Sequence, residues 1–268
     1  MSRLSSWGWG VAAAVALALA VAMSACGGGG GGGDLTERPI NNADLAIMAV
    51  YDPDLPQEFT GFVRTADSGI KTNEQAAQMA PDPEEEALDQ EQFGQLGEYV
   101  RKYAPPGGGT PATDERAFRL VSTVQLFPDA AGASGYLSDD VTDLEGSIGK
   151  QSEGGTIQQV KRFKPPKIGD ESVGLRMSLA VGEGDQERPA YGTQVSFRYG
   201  RLLLSVTLVR TDDTDIGREV ETLARSLEER LKVMFEAQPE ITPTPSGTSP
   251  TPAGTTPTPS ETSPTPSG

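Results

Sequence analysis

The sequence predicts an α+β domain in which an antiparallel sheet of about five strands carries helices on its apolar face. Three runs in the second half alternate apolar and polar residues, with the period of two that is typical of a half-buried strand. Two of these runs are separated by only two residues, as in a hairpin, and amphipathic helical patterns lie before and after the strands. The predicted order of elements in this half, β-α-β-β-β-β-α, therefore favours a layered domain of sheet and helices.

The composition of the chain divides it into four parts. We predict a lipoprotein signal peptide over residues 1–26, a polyglycine tether over 27–33, a single α+β domain over 34–238 and a Thr/Pro/Ser-rich stalk over 239–268. The tether and the stalk contain almost no side chains that could form a core, so we expect both to be disordered.

The first half of the domain has the weaker patterns. An asparagine cap in the pair Asn41-Asn42, followed by apolar residues, predicts a short helix that ends before Pro53. Acidic residues after Pro81 predict the start of a second helix, because carboxylates are favourable near the positive end of the helix dipole. The expected apolar stripe of this second helix has spacings of 3, 4 and 3 and consists of Phe93, Leu96, Val100 and Tyr103.

The second half of the domain predicts a strand over residues 118–127, a helix over 129–144, an edge strand over 157–163 and three alternating strands. We expect the apolar sides of the alternating strands to face one way; these sides are Val173, Leu175, Met177, Leu179 and Val181, then Tyr191, Thr193, Val195, Phe197 and Tyr199, then Leu202, Leu204, Val206 and Leu208. A last helix over 215–235 has a continuous apolar stripe on an otherwise charged surface.

The turn between the last two strands predicts their register. A two-residue loop of Gly200 and Arg201 pairs Tyr199 with Leu202, and glycine in the first position suits a hairpin turn. Two residues further along each strand, Phe197 then faces Leu204. The hydrophobic pattern requires the same register, so the turn and the pattern agree.

Charge and residue usage exclude several classes of function. The chain has 38 acidic and 22 basic residues and a net charge of −16, which is unfavourable for binding nucleic acid or an anionic membrane surface. It has no histidine and one cysteine, so an intramolecular disulfide, a zinc cluster and a Ser/His/Asp triad are excluded. We expect no cofactor and no metal, while a catalytic pair of carboxylates stays open because such pairs are recognised only in three dimensions.

The amino terminus combines a basic start, an apolar run and a cysteine. Arg3 precedes the apolar residues 11–23, which as a helix would be about 20 Å long and so shorter than the membrane core of ~30 Å. The sequence Met-Ser-Ala-Cys follows at residues 23–26 and resembles the lipobox of bacterial lipoproteins. The resemblance implies that Cys26 is acylated, becomes the first mature residue and anchors the chain to the outer face of the cell membrane. The alternative is an ordinary secretory signal with an incidental cysteine.

One polar surface is a candidate binding site. On the side of the sheet opposite the apolar residues we expect Arg176, Gln194, Ser196 and Arg198, among small hydroxyl side chains. Two arginines among hydroxyls could bind an anionic or polar ligand. The alternative is that this face is solvated or covered by the helices of the first half.

A looser resemblance extends over residues 42–235. The segment Ile-Gly-Asp at 168–170, the Val-Ser-Phe-Arg-Tyr-Gly hairpin at 195–200 and the Leu-Ala-Arg-Ser-Leu helix at 223–227 are similar to extracytoplasmic lipoproteins and to sensor-like domains of PknH-type bacterial kinases. This resemblance implies an α/β sandwich without established catalysis. The chain lacks the disulfide cysteines and the membrane span of the kinase-linked domains, so their signalling role is not transferred.

These observations favour a non-enzymatic, membrane-anchored lipoprotein that binds a small ligand or a protein of the cell envelope. One alternative is an envelope enzyme that uses carboxylates, which a strongly raised carboxylate pKa in a cleft would favour. Another is a spacer or assembly protein of the cell envelope, whose role depends on the combination of tether, domain and stalk.

Overall fold

A computed structural model of the 268-residue chain describes residues 39–106, 117–152, 155–181 and 187–236. The described residues form one antiparallel sheet with helices, which confirms the α+β class. The sheet has nine strands instead of about five. The signal peptide with Cys26, the polyglycine tether and the Thr/Pro/Ser-rich stalk lie outside the described residues.

The described chain contains helices on both sides of the sheet. The α-helices are α1 (Asn42–Met48), α2 (Asn73–Ala77), α3 (Pro83–Phe93), α4 (Ala130–Gly146) and α5 (Gly217–Glu236). The strands are β1 (Val63–Arg64), β2 (Gly69–Lys71), β3 (Gly97–Ala104), β4 (Ala117–Leu126), β5 (Gln151–Ser152), β6 (Gly155–Phe163), β7 (Glu171–Val181), β8 (Arg188–Tyr199) and β9 (Leu202–Arg210). Their order across the sheet is β1-β3-β4-β9-β8-β7-β6-β5, and β2 also pairs with β3.

The hairpin of β8 and β9 has the register that the sequence predicts. Tyr199 pairs with Leu202, and Phe197 pairs with Leu204. Gly200, the first residue of the turn, has a φ of 58°, a left-handed conformation that glycine adopts without steric cost. The agreement of turn and pattern is therefore confirmed.

One side of this hairpin forms the main core, which we call the packed face. Its residues are fully buried and comprise Val195, Phe197, Leu204, Val206 and Leu208. Helix α5 lies on this face with the predicted apolar stripe, of which Ile216, Val220, Leu223, Leu227 and Leu231 are buried. Helix α1 completes the layer, and its predicted cap is present because the Asn41 side chain accepts hydrogen bonds from the amides of Ala43 and Asp44.

Strand β7 faces the other way from the prediction. Val173 pairs with Ser196 and Leu175 pairs with Gln194, and directly opposite residues lie on the same face of a sheet. The apolar side of β7 therefore lies opposite the packed face. There Leu175 is buried in a second core beneath α4, with Leu137 among its neighbours.

The predicted stripe on the second helix is wrong. Helix α3 ends at Phe93 because Gly94 adopts a φ of 71°, and Val100 and Tyr103 belong to strand β3. Almost all of β3 is buried, since both of its faces are covered, and its charged residues, Glu98, Arg101 and Lys102, lie among apolar ones without a period of two. A strand of this kind lacks the clean apolar and polar alternation on which the prediction depended.

Helices α2, α3 and α4 form a third layer. Helix α4 contacts β6, β8 and β9, α3 packs on α4, and α2 packs on α3, β2 and β3. Helices thus cover both faces of the sheet, which corrects the prediction that they pack on one apolar face.

Candidate functional site

A cavity of about 300 Å³ lies between the sheet and the layer of α2, α3 and α4. Its floor is made by the sides of β4, β8 and β9 that point away from the packed face. We call this side the cavity face and define it by Thr123, Gln194, Ser196, Ser205 and Thr207. Because side chains alternate along a strand, β8 and β9 supply the core on one side and this polar floor on the other.

The floor is polar, and some of its side chains form hydrogen bonds with one another. The amide of Gln194 donates to the hydroxyl of Ser196 at 2.9 Å, and the hydroxyl of Thr207 donates to Oε1 of Gln194 at 3.2 Å. One end of the cavity is mainly apolar instead, lined by Ile157, Met177, Leu179 and Val209, with Arg119 of β4 opposite Val209. The same space therefore offers hydrogen-bonding groups beside an apolar wall.

The other end of the cavity is acidic. Glu86 of α3, Glu98 of β3 and Asp140 of α4 line it. Glu98 stands directly opposite Gln125 on β4, so the register of the sheet places this carboxylate on the cavity face. Three separate elements thus bring three carboxyl groups to one end of one cavity.

A network of neutral donors holds two of these carboxylates. The hydroxyl of Tyr136 donates to Oε1 of Glu86 at 2.6 Å, and the amide of Gln125 donates to the Tyr136 hydroxyl at 3.1 Å. The amide of Gln95 donates to Oε2 of Glu98 at 3.3 Å. The donors are amides and a phenol, so the negative charges are hydrogen-bonded without being neutralised.

Burial and mutual repulsion raise the pKa of these acids. Burial, followed by the charge of Glu86, raises the pKa of Glu98 to about 7 and that of Asp140 to about 7. The pKa of Glu86 is also raised, chiefly by burial. Near neutral pH Glu98 and Asp140 therefore change their protonation state, whereas most carboxyl groups titrate only in acid.

A smaller recess adjoins the acidic end. It has a volume of about 150 Å³ and shares Glu86 and Asp140 with the cavity. Its other acids are Asp82, Glu85 and Asp143, and Lys150 pairs with Asp82 at 3.1 Å and with Glu85 at 3.5 Å. Glu86 and Asp140 thus stand between the cavity and an acidic outer recess.

The structure separates the four residues of the predicted polar surface. Gln194 and Ser196 line the cavity. Arg198 shares their face but lies outside the cavity, where it pairs with Asp170 at 3.0 Å and with Glu171 at 3.3 Å.

Arg176 lies on the opposite face, so the prediction that it shares a face with Gln194 is wrong. It pairs with Thr193 of β8 in the sheet and forms an ion pair with Asp215 at 2.6 Å. Its guanidinium also lies 5.0 Å from the ring centre of Phe163. The two arginines consequently do not form one binding surface.

Sequence reasoning missed the acidic end because its members come from α3, β3 and α4. Glu98 precedes Tyr99 and Val100 in a buried strand, and an acid in such a place indicates an unusual environment. That indication was hidden because β3 was assigned to a helix. Asp140 lies on a helix with many acids, and nothing in its spacing distinguishes it from them.

Two further findings concern membranes and metals. No helix within the described ranges is long and apolar enough to cross a membrane. Within those same ranges, no group of three or more Cys, Asp or Glu side chains has the arrangement of a metal site.

No known protein family matches the sequence, and no curated protein is similar to it. Among solved structures, the chain is similar to the extracellular domain of PknH from Mycobacterium tuberculosis. The TM-score is 0.45 and the sequence identity 9%, and the match covers 72% of this chain and 98% of that chain. This weak likeness is to the same type of domain as the resemblance noted in the sequence.

Proposed function

We propose that the chain is a lipid-anchored extracytoplasmic protein whose domain binds a small ligand in the cavity and catalyses no reaction. The cavity is the observation that carries this proposal. Small-molecule sites are concave and mostly apolar, with a few convergent polar groups, and they typically measure ~300–1,000 Å³. The cavity lies at the small end of that range and has both kinds of wall.

The binding half of the proposal is tested with a neutral, apolar fluorescent probe, N-phenyl-1-naphthylamine. We expect its emission to rise on binding to the wild-type chain. Ser205 lies in the cavity floor, so Ser205→Phe should fill the space and abolish the rise. Ser138→Phe is the matched control, because Ser138 is exposed on α4 and the same ring there leaves the cavity open.

Equal probe binding by Ser205→Phe and the wild type would contradict a site in this cavity. Absence of any probe binding would favour the alternative of a spacer or assembly protein of the envelope. Thermal melting of both variants shows whether a loss of binding reflects unfolding.

The anchoring half of the proposal is supported by the lipobox resemblance of residues 23–26. Metabolic labelling with a radioactive or clickable fatty acid should label the wild type and Ser5→Ala, and leave Cys26→Ser unlabelled. Label that persists in Cys26→Ser would contradict the lipoprotein proposal, since this is the only cysteine in the chain.

A second candidate is an enzyme that uses carboxylates. The observation that favours it is the raised pKa of Glu98 and Asp140 in a cavity, because a carboxyl group that is protonated near neutral pH can act as a general acid. Hydrolysis of a panel of aryl glycosides and esters by the wild type, lost in Glu98→Gln, would favour the enzyme. No turnover by the wild type would favour the binding protein.

A further inference from the structure

The acidic end of the cavity has three carboxyl groups and no ion pair among the described residues. Among the described residues, no Lys or Arg nitrogen lies within 4.0 Å of a carboxylate oxygen of Glu86, Glu98 or Asp140. Two lysines lie nearby, and both contact Asp67. Lys71, which stands opposite Glu98 on β2, donates to the carbonyl oxygen of Asp67 at 2.6 Å, and Lys102 of β3 pairs with the Asp67 carboxylate at 2.9 Å. The described residues therefore place three acids together without an ion pair to any of them.

Such an arrangement is unfavourable for the empty protein. Removing a carboxylate from water is costly unless it is paired, and like charges near one another add to the cost. Glu98 is only 5% exposed, and Asp140 has no hydrogen-bond partner within the described chain. An unpaired acid that lines a cavity is, however, well placed to meet a charged group that arrives from outside.

We propose that the ligand is a small amphiphilic cation, a protonated amine or a quaternary ammonium with an alkyl or aromatic body. Its charged group would lie against Glu86, Glu98 and Asp140, and its apolar body against Ile157, Met177 and Leu179 at the other end. This inference rests on the proposed function, since it names the chemical class of ligand for the same cavity. The polar floor between the two ends can accept or donate a hydrogen bond to a linking group.

The outer recess supports the same class of ligand. Asp82, Glu85 and Asp143 line this recess beside Glu86 and Asp140, and the ion pairs of Lys150 balance only part of the negative charge. An excess of one sign of charge around a recess raises the local concentration of the opposite ion. Lys150 already spans two of these acids, which shows that this part of the surface accommodates an ammonium group in the geometry of an ion pair. An anionic ligand would meet repulsion at the recess and at the acidic end of the cavity, whereas Arg119, opposite Val209, supplies a cation at the other end.

The test compares three probes that share an eight-carbon chain and differ in the head group: octylammonium, 1-octanol and octanoate. Calorimetric titration of the full chain in its unacylated form, at pH 8 and low salt, measures each affinity. We expect octylammonium to bind at least about tenfold more tightly than octanol, which corresponds to one well-desolvated charge interaction, and octanoate to bind most weakly.

Variants that remove negative charge test which residues cause the preference for octylammonium over octanol. Glu98→Gln combined with Asp140→Asn should bring the octylammonium affinity down to that of octanol while octanol binding stays within about twofold. Asp213→Asn combined with Glu229→Gln is the matched control. Both residues are exposed; Asp213 lies just before α5 and Glu229 lies on it. The control therefore also removes two negative charges, but on the opposite side of the sheet from the cavity.

Equal affinity for octylammonium and octanol, or a preference that persists in the Glu98 and Asp140 double variant, would overturn the cation inference and leave the cavity as a ligand site. Binding of none of the three probes would overturn it as well. In that case the neutral fluorescent probe and Ser205→Phe decide separately whether the cavity binds any ligand.

Discussion

The two faces of the sheet differ although they share the same strands. On the packed face, Phe197 and Leu204 are completely buried beneath α5. On the cavity face, Gln194, Ser205 and Thr207 are half-buried and leave a space of about 300 Å³ open beneath α4. Alternate residues of β8 and β9 thus have different roles. Those on the packed face form the dense core that stabilises the fold, and those on the cavity face line an open cavity with polar groups.

Buried charge shows the same difference. On the packed face, the guanidinium of Arg101 donates to the carbonyl oxygens of Val50 at 2.7 Å and Ala46 at 2.9 Å, and so fastens α1 and the chain after it to β3. On the cavity face, Glu98 has only neutral donors and Asp140 has no hydrogen-bond partner among the described residues. The buried charge on the packed face is therefore fixed to the backbone, whereas the acids on the cavity face line an open space and have no ion-pair partner among the described residues.

The largest expected effect tests the packed face. Phe197→Ala removes a fully buried ring and should lower the free energy of unfolding by about 3–5 kcal/mol, measured by denaturant titration. Val233→Ala is the control, because Val233 is 68% exposed on α5 and should change stability by less than about 0.5 kcal/mol. A Phe197→Ala loss below about 1 kcal/mol would mean that this face is not the main core.

The next effect concerns the acid on the cavity face. The folded pKa of Glu98, about 7, lies above its ordinary value of 4.5, so the folded state binds more protons than the unfolded state between these values. Stability should therefore fall as the pH rises from 4.5 to 7. Glu98→Gln should flatten part of this slope and raise stability at pH 8 by roughly 2–3 kcal/mol.

Glu145→Gln is the matched control for that titration. The pKa of Glu145 is lowered, chiefly by its hydrogen bond from Arg162, so its removal should leave the slope above pH 5 unchanged. Asp140 titrates in the same range as Glu98, and for this reason some slope should remain in Glu98→Gln. A Glu98→Gln profile that is identical to the wild-type profile would contradict an ionised, buried Glu98.

A smaller effect is expected at the border of the cavity face. The Arg198 side chain is 13% exposed and donates to Asp170 at 3.0 Å and to the carbonyl oxygen of Gly200 at 2.9 Å. Arg198→Ala should cost about 1–2 kcal/mol, more than a solvated arginine and less than Phe197. Denaturant titration at low and high salt separates its charge contribution, which salt should reduce.

The sequence carried enough information for the β8–β9 hairpin and for α5, because each has a pattern that is supported by a second feature. For the hairpin that feature is the turn at Gly200, and for α5 it is the long uninterrupted apolar stripe. Strand β7 was correctly identified as alternating, but its predicted run ends at Val181 and the next begins at Tyr191, so no two-residue loop predicts the register between them. A shift of one residue moves every side chain to the other face, so the pattern alone could not place Leu175 or Arg176.

The site was less predictable than the fold for a related reason. Gln194 and Ser196 could be predicted as a polar face because they share one strand. The acids come together only when α3 and α4 are laid over β3, which depends on long-range packing. In addition, the charged residues of β3 made it unlike a typical buried strand. The strand was therefore not predicted, and neither was the position of Glu98.

The smallest expected effect compares hydroxyl groups on the two faces. Thr207→Val removes a hydroxyl that donates to Gln194 at 3.2 Å beside an open cavity, where water can replace it, so stability should change by less than about 0.5 kcal/mol. Val195→Thr replaces a methyl group with a hydroxyl of similar size on the fully buried packed face. It should lower the free energy of unfolding by about 1–3 kcal/mol. Both are measured by denaturant titration under the same conditions. Equal losses would mean that the cavity face is as dry as the packed face, which would contradict a space that exchanges its contents with solvent.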